Sequence, residues 1–355
     1  MRQLRFVAFA VAHSTATATF MGESTMARNP GGHRGDGAMI PSQQGRVAVV
    51  TGGNSGIGFC VARELAAHGA HTILACRNEA QARDACKRIR SELKGVAAAG
   101  DVLVISMDLG RLATVKAFSE DFHKRFDRLD LLVNNAGVGM PSETKSPDGY
   151  SIQFSVNFLG HFYLTTLLFD LLKAAKSARV VNVSSLLHNR HSDYLLFRPL
   201  KLNFDELPSG VGDNALGRYE KSKLCNLLFT LELQRRLESA ELDHKMLSVA
   251  AHPGVTATEI FQRAFEANFP SFLQGILEKA VFAFFQTAEK GALPILYAAT
   301  ARQVRGGEYY GPDGFFHWFG YPERQTMSPQ AQSQDDARQL WELAERLTET
   351  PFCVG

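Results

Sequence analysis

RVAVVTGGNSGIGFCVARELAAHG (46–69) decides how the rest of this chain is read. RVAVVTG (46–52) is a short β-branched run ending in glycine, whereas FCVARELAAHG (59–69) has helical periodicity and stops at Gly69. Between them, TGGNSGIG (51–58) spaces Gly52, Gly56 and Gly58 as G-x-x-x-G-x-G, not as the commoner G-x-G-x-x-G nucleotide fingerprint. The physical purpose is the same. Glycines permit a tight turn and let the backbone approach a pyrophosphate, whose charge is favoured by the amides at a helix N-terminus. A glycine-rich loop alone also reads as a plain structural turn; the strand before it and the helix after it give it weight. Thr51, Gly52, Asn54, Ser55, Gly56, Ile57 and Gly58 are therefore nucleotide-contact candidates.

Outward from this unit the alternation continues. HTILAC (71–76) reads as a strand and 78–93 as a charged amphipathic helix, followed by VLVISMDL (102–109), a helix over roughly 111–126 and LDLLVNNAG (129–137). RVVNVSS (179–185) and KMLSVAAHPG (245–254) are further buried strands. Near-continuous apolar strands separated by helices predict a parallel sheet covered on both faces. The expected fold is α/β, a doubly wound parallel sheet of Rossmann type, as one domain over residues 45–350 without internal repeat or dividing linker.

Composition fits that expectation. Apolar residues make up 45% and charged residues 21% of 355, so a sizeable core is available. The net charge of +2 resides in the first forty residues, where Arg2, Arg5, Arg28 and Arg34 face only Glu23 and Asp36. A neutral body gives no reason to expect a nucleic-acid partner. The five cysteines (Cys60, Cys76, Cys86, Cys225 and Cys353) form no CxxC pair and no Cys/His cluster with metal-ligand spacing. Neither a metal nor a disulfide scaffold is expected, and a reducing compartment is the natural reading.

Residues 1–44 read as a flexible leader or targeting segment. Residues 1–20 are basic, acid-free and Ser/Thr-rich around an apolar run from Phe6 to Ala12 that is too short to span a bilayer. They suit an export or organellar transit segment. They equally suit an extension ahead of a later start at Met21, Met26 or Met39. The compartment is thus left between cytoplasmic and organellar, with no transmembrane helix expected.

Chemistry-bearing residues follow in chain order. The second strand ends at Cys76-Arg77-Asn78. An acid there would suit the ribose 2′-hydroxyl of NAD, whereas Arg77 suits the 2′-phosphate of NADP, so NADP(H) is favoured over NAD(H). Tyr219 and Lys223 stand four apart in RYEKSK and share a helix face. A phenol titrates at about 10 and is a poor base at neutral pH. A nearby ammonium and a positive nicotinamide ring would lower that value, making Tyr219 a general base on an alcohol or a general acid to a carbonyl. Ser185, at the end of RVVNVSS, would hold the same oxygen. His161 and His252 are read as packed, hydrogen-bonded side chains.

In order, TGGNSGIG, Asp108-Leu109, NNAG (134–137), Asn157, Ser185, YEKSK (219–223) and HPGVTAT (252–258) resemble the short-chain dehydrogenase/reductase superfamily over roughly residues 45–300. ILACRN, VNFLGHFYLT and SVAAHPG are similar to its retinol dehydrogenase and WW-domain oxidoreductase branch, without a WW domain. The resemblance implies a catalytic set of Asn157, Ser185, Tyr219 and Lys223, with Asn157 placing a relay water and Lys223 also reaching the nicotinamide ribose. It implies that Asp108 and Leu109 lie by the adenine and that Asn135, Ala136 and Gly137 line the cofactor. Pro253, Gly254 and Thr256 would flank the nicotinamide. It also implies a homo-oligomer.

Ser185 and Tyr219 are separated by 34 positions, more than in many short members, so 186–218 is an insertion-sized segment. It and 256–286 are the expected substrate covers. Seven of the 25 phenylalanines lie in 258–286, with Phe261, Phe265 and Phe269 spaced as one helical stripe. That stripe suits an apolar pocket or a membrane-surface contact, and equally a core or an oligomer interface. The expected activity is alcohol/carbonyl interconversion on an apolar retinoid-, steroid- or long-chain aldehyde-like substrate. Double-bond reduction of the protochlorophyllide type and nucleotide sensing without turnover are the alternatives.

Overall fold

The computed structural model describes residues 40–189, 200–256 and 286–355. The leader over 1–39, part of the insertion-sized segment (190–199) and the phenylalanine stripe within 257–285 lie outside the described residues. One eight-stranded sheet organises the fold: β1 (Val47–Thr51), β2 (His71–Cys76), β3 (Val102–Ser106), β4 (Leu131–Asn134), β5 (Ala178–Val183), β6 (Met246–Ala251), β7 (Tyr309–Pro312) and β8 (Pro322–Gln325). Its order is β3-β2-β1-β4-β5-β6-β7-β8, with the first seven strands parallel and β8 antiparallel to β7. The order in which strands are added reverses between β1 and β4, which opens a crevice above their carboxyl ends.

Side-chain alternation shows why both faces need helices. Val47 and Val49 enter one core, Ala48 and Val50 the other. On the first face lie α3 (Leu112–Arg125), α5 (Gly160–Leu167), α7 (Ala215–Ser239) and α9 (Gln334–Thr348); on the second, α1 (Gly56–Ala67), α2 (Glu79–Glu92) and α8 (Ala288–Thr300). The short helices α4 (Ile152–Phe154) and α6 (Phe169–Ala174) flank α5. The doubly wound expectation is met, on one sheet and in one domain.

Two features lie outside the sequence reading. β7 and β8 are absent from it because YYGP and PERQ present no apolar run. Strands of four residues carry little hydrophobic signal of their own when neighbouring strands supply the ladder. Secondly, α4 does not run smoothly into α5: Ser155–Leu159 forms a π-helical turn centred on Asn157, a widening that commonly marks functional positions. Just beyond it, a Cβ on Gly160 would lie 2.5 Å from the Leu109 carbonyl oxygen. Only glycine lets this helix close on the loop after β3.

The described part of 186–218 is partly core. Leu200 and Leu207 are buried in the first cluster, and the Pro208 carbonyl accepts from the Ser151 amide at 2.6 Å. No helix among the described residues is long and apolar enough to cross a membrane.

An aromatic cluster closes the first face. Trp341 of α9 stacks on Phe352 at 4.7 Å, meets Phe162 edge-on at 5.1 Å and carries the Arg236 guanidinium 4.2 Å over its ring. Truncation there leaves a large cavity, so Trp341→Ala should cost about 3–5 kcal/mol, measured as a fall in the urea midpoint. A shift worth less than about 1 kcal/mol would mean that α9 is dispensable to the core.

Candidate active site

The carboxyl end of β1 is fixed by one hydroxyl. Thr51 Oγ1 accepts from the Asn135 and Ala136 amides, each at 2.9 Å, and lies 2.9 Å from His161 Nε2. His161 Nδ1 is 3.1 Å from the Asn157 carbonyl, which can only accept, so Nδ1 carries the proton and Nε2 accepts from Thr51. Full burial holds His161 down at about 3, so it is neutral. The Asn135 side chain adds a bond to the Thr51 carbonyl at 2.8 Å. β1, the NNAG turn and the π-turn are thereby tied together.

Around this tie the glycine turn is shaped to leave space. Gly52 and Gly56 have φ of +65° and +53°, a left-handed conformation costly to other residues. A Cβ on Gly58 would fall 2.3 Å from the Gly52 oxygen. Burial pushes the pKa of the Cys76 thiol up to about 11, and the nearby amides of Asn54, Gly53 and Gly52 oppose that rise only in part. Asn54, Ser55 and Ile57 sit on the accessible side of this turn. Gly137 marks the far wall, where a Cβ would lie 3.3 Å from Lys223 Nζ and 3.4 Å from Asn157 Oδ1. A cradle that side chains would fill, open amides at the start of α1 and a cation at its far end fit a dinucleotide.

The four reaction candidates come together. Ser185 follows β5 and caps the 3-10 turn Leu186–His188, its Oγ accepting from Leu187 N at 3.2 Å. The Ser185 side chain lies close enough to the Tyr219 phenol to pull its pKa down in part. Lys223, one turn along α7, places Nζ 5.7 Å from the Tyr219 ring centre and donates to the Val183 carbonyl at 3.0 Å. An ammonium has three donors, so two remain for a ligand. Asn157 has its side chain committed: Oδ1 accepts from Val138 N at 2.8 Å, and Nδ2 donates to Val138 O at 3.0 Å and to Ser222 Oγ at 2.9 Å. A water held by Asn157 would have to use its backbone carbonyl, which His161 already approaches.

Electrostatics alters one expectation. Burial raises the Tyr219 phenol above its ordinary value, and the Ser185 side chain only partly opposes this. Burial likewise brings Lys223 down to about 8. Without nucleotide the phenol is protonated and the amine still largely charged at neutral pH.

The remaining sequence candidates divide. Gly254 has φ +69°, and a Cβ there would lie 2.3 Å from the Trp318 carbonyl; Thr256 Oγ1 bonds the Pro253 carbonyl at 3.1 Å. A Cβ on Gly291 of α8 would meet both Thr256 and Ile57, so the 253–256 loop lies against the glycine turn. Asp108 spends a carboxylate oxygen on Gly110 N at 2.9 Å, and Leu109 is buried. Arg77 is exposed at the end of β2 with no ion-pair partner among the described residues. His252 is neutral and structural, its Nδ1 accepting from Gly254 N at 3.1 Å and its Nε2 bonding Gln325 at 2.8 Å. Sequence reasoning missed Tyr309 and His188, which converge on Ser185; β7 gave no strand signal and His188 lay in a segment read as insertion. Among the described residues no cluster of His, Cys, Asp or Glu could hold a metal ion.

Residues 46–194 match the family model described as short chain dehydrogenase. Over 312 residues the chain is 36% identical to retinol dehydrogenase 14 of Homo sapiens, covering 85% of this chain and 85% of that protein. Over 305 residues it is 38% identical to WW domain-containing oxidoreductase of Homo sapiens, covering 85% of this chain and 68% of the relative. In structure it is similar to an uncharacterized protein of Mycobacterium Paratuberculosis, with a TM-score of 0.67, 33% identity and coverage of 89% and 98%.

The buried amine can be checked without substrate. Lys223 titrates at about 8 in the folded chain against an ordinary 10.5, so between those values the unfolded chain holds a proton that the folded chain lacks. Its contribution to stability therefore falls as pH drops from 10.5 to about 8 and is constant below. Urea unfolding of wild type and Lys223→Met should show a difference that moves in favour of wild type as pH rises through this window. A pH-independent difference would mean that the amine is hydrated.

Proposed function

The chain belongs to the short-chain dehydrogenase family, and from that premise we propose that it reduces a carbonyl on an apolar substrate, and oxidises the matching alcohol, with NADP(H). It is an oxidoreductase with a nucleotide-binding Rossmann fold. The observation that carries the finer reading is the contact of Ser185 with Tyr219, beside Lys223 and within one cradle with the glycine turn.

Each residue has a role that its chemistry permits. The turn Thr51–Gly58 and the N-terminus of α1 hold the pyrophosphate, with Asn135, Ala136 and Gly137 forming the adjoining wall. Lys223 uses its two remaining donors on the nicotinamide ribose, and its charge beside the phenol favours the phenolate that proton transfer leaves behind. Pro253, Gly254 and Thr256 bound the nicotinamide face. The bound nicotinamide supplies or accepts hydride. Ser185 donates its hydroxyl proton to the substrate oxygen, and Tyr219 gives that oxygen a proton in reduction or removes one in oxidation. Asn157 acts on geometry, by fixing Val138 and Ser222 around the site.

The Tyr219 phenol, raised by burial, is protonated at neutral pH, the state a general acid must hold for reduction. The free guanidinium of Arg77 supports NADP(H), since a planar cation pairs with a 2′-phosphate in two-point geometry. An apolar substrate is supported by the likeness to a protein named retinol dehydrogenase 14 and by the phenylalanine-rich 258–286.

Two variants test this. Tyr219→Phe should lower kcat for aldehyde reduction by about 10²–10⁴-fold while NADPH still binds, followed by nicotinamide fluorescence. Equal turnover by wild type and variant across retinoid, steroid and long-chain aldehydes would overturn the assignment. Arg77→Asp should weaken NADPH binding by about tenfold or more with little loss for NADH. A cofactor preference that stays put would remove Arg77 from the site.

A further inference from the structure

The backbone carbonyl of Ser185 is the meeting point of two side chains outside the quartet. His188 Nδ1 lies 2.7 Å from it, and Tyr309 Oη donates to it from β7 at 3.4 Å. A carbonyl only accepts, so Nδ1 of His188 carries a proton. On the other edge of the ring, the Ser328 amide approaches Nε2 at 3.3 Å, and an amide N–H only donates, so Nε2 is bare. The two bonds select one neutral tautomer. Tyr309, 2% exposed, packs edge-on to the His188 ring at 5.5 Å and tilted on His252 at 5.2 Å. Four separate parts of the chain thus converge behind one peptide group. The effect on Ser185 is specific. Its Oγ accepts from Leu187 N, so with the peptide held, its one hydroxyl proton is left for the Tyr219 side.

We propose that His188 and Tyr309 are positioning residues, which together clamp the Ser185 peptide so that its hydroxyl proton is delivered to the Tyr219 oxygen and to the substrate oxygen. The proposal rests on the reading of Ser185 and Tyr219 as the reacting pair. Titratable groups facing the clamp are Tyr219 on α7, Tyr309 on β7 and His252 on β6, the last sensing His188 and His317 electrostatically. The nearby Ser185 side chain lowers the Tyr219 pKa, so loosening the clamp must raise it.

The amide of asparagine falls where Nδ1 of histidine sits, and that of glutamine where Nε2 sits. His188→Asn keeps the donor to Ser185, whereas His188→Gln loses it. His188→Gln should lower kcat about tenfold with cofactor KM unchanged, His188→Asn should return it to within about twofold, and Tyr309→Phe should give a smaller loss of the same kind. Ultraviolet difference titration against Tyr219→Phe should place Tyr219 ionisation about half a unit higher in His188→Gln and Tyr309→Phe than in wild type. Equal losses in the two His188 variants, or an unmoved Tyr219 titration, would overturn the clamp. So would ¹⁵N resonances showing the Nε2–H tautomer. Titration and tautomer need no turnover: a wild type inert toward every carbonyl would sink the redox reading, while these two measurements would still decide the clamp.

Discussion

The Thr51 hydroxyl is the constraint on which the site depends. It takes amides from Asn135 and Ala136 and gives its proton to His161, joining β1, the turn after β4 and the π-turn before α5. These elements lie on either side of the reversal in strand order, where nothing in the sheet ladder forces the loops to agree. Burial makes the tie strong: a neutral histidine and a fully enclosed hydroxyl have no water to turn to, so a lost partner would be left unsatisfied. The glycine turn is shaped against this fixed edge, and the wall at Gly137 faces it.

The same burial sets the proton chemistry. Lys223 and Tyr219 are both enclosed, and enclosure pushes each toward its neutral form, the amine down and the phenol up. The sequence suggests that proximity of the two would activate the phenol. In the folded chain, desolvation outweighs that effect, because the amine is turned to the Val183 carbonyl and 5.7 Å separates it from the phenol ring centre.

Much of the architecture was legible because it rests on periodicity and punctuation. Strands buried on both faces must be continuously apolar, and the turn at Gly52, Gly56 and Gly58 must be glycine for steric reasons, so both leave marks in the linear chain. Tyr219 and Lys223 were legible as types at a helical spacing, whereas Asn157 was named only through the family resemblance. The last two strands were not legible, since YYGP and PERQ borrow their pairing from neighbours.

By itself the sequence determined the doubly wound sheet, the nucleotide turn and the identity of the Ser, Tyr and Lys groups, because each depends on local residue size, shape and spacing. Only the tertiary structure decided which histidines are neutral and why, that Asn157 spends its side chain on Val138 and Ser222, and that His188 and Tyr309 converge on Ser185. Those outcomes follow from desolvation and from donor–acceptor matching between segments as much as 140 positions apart. Such terms exist only once the chain has closed on itself.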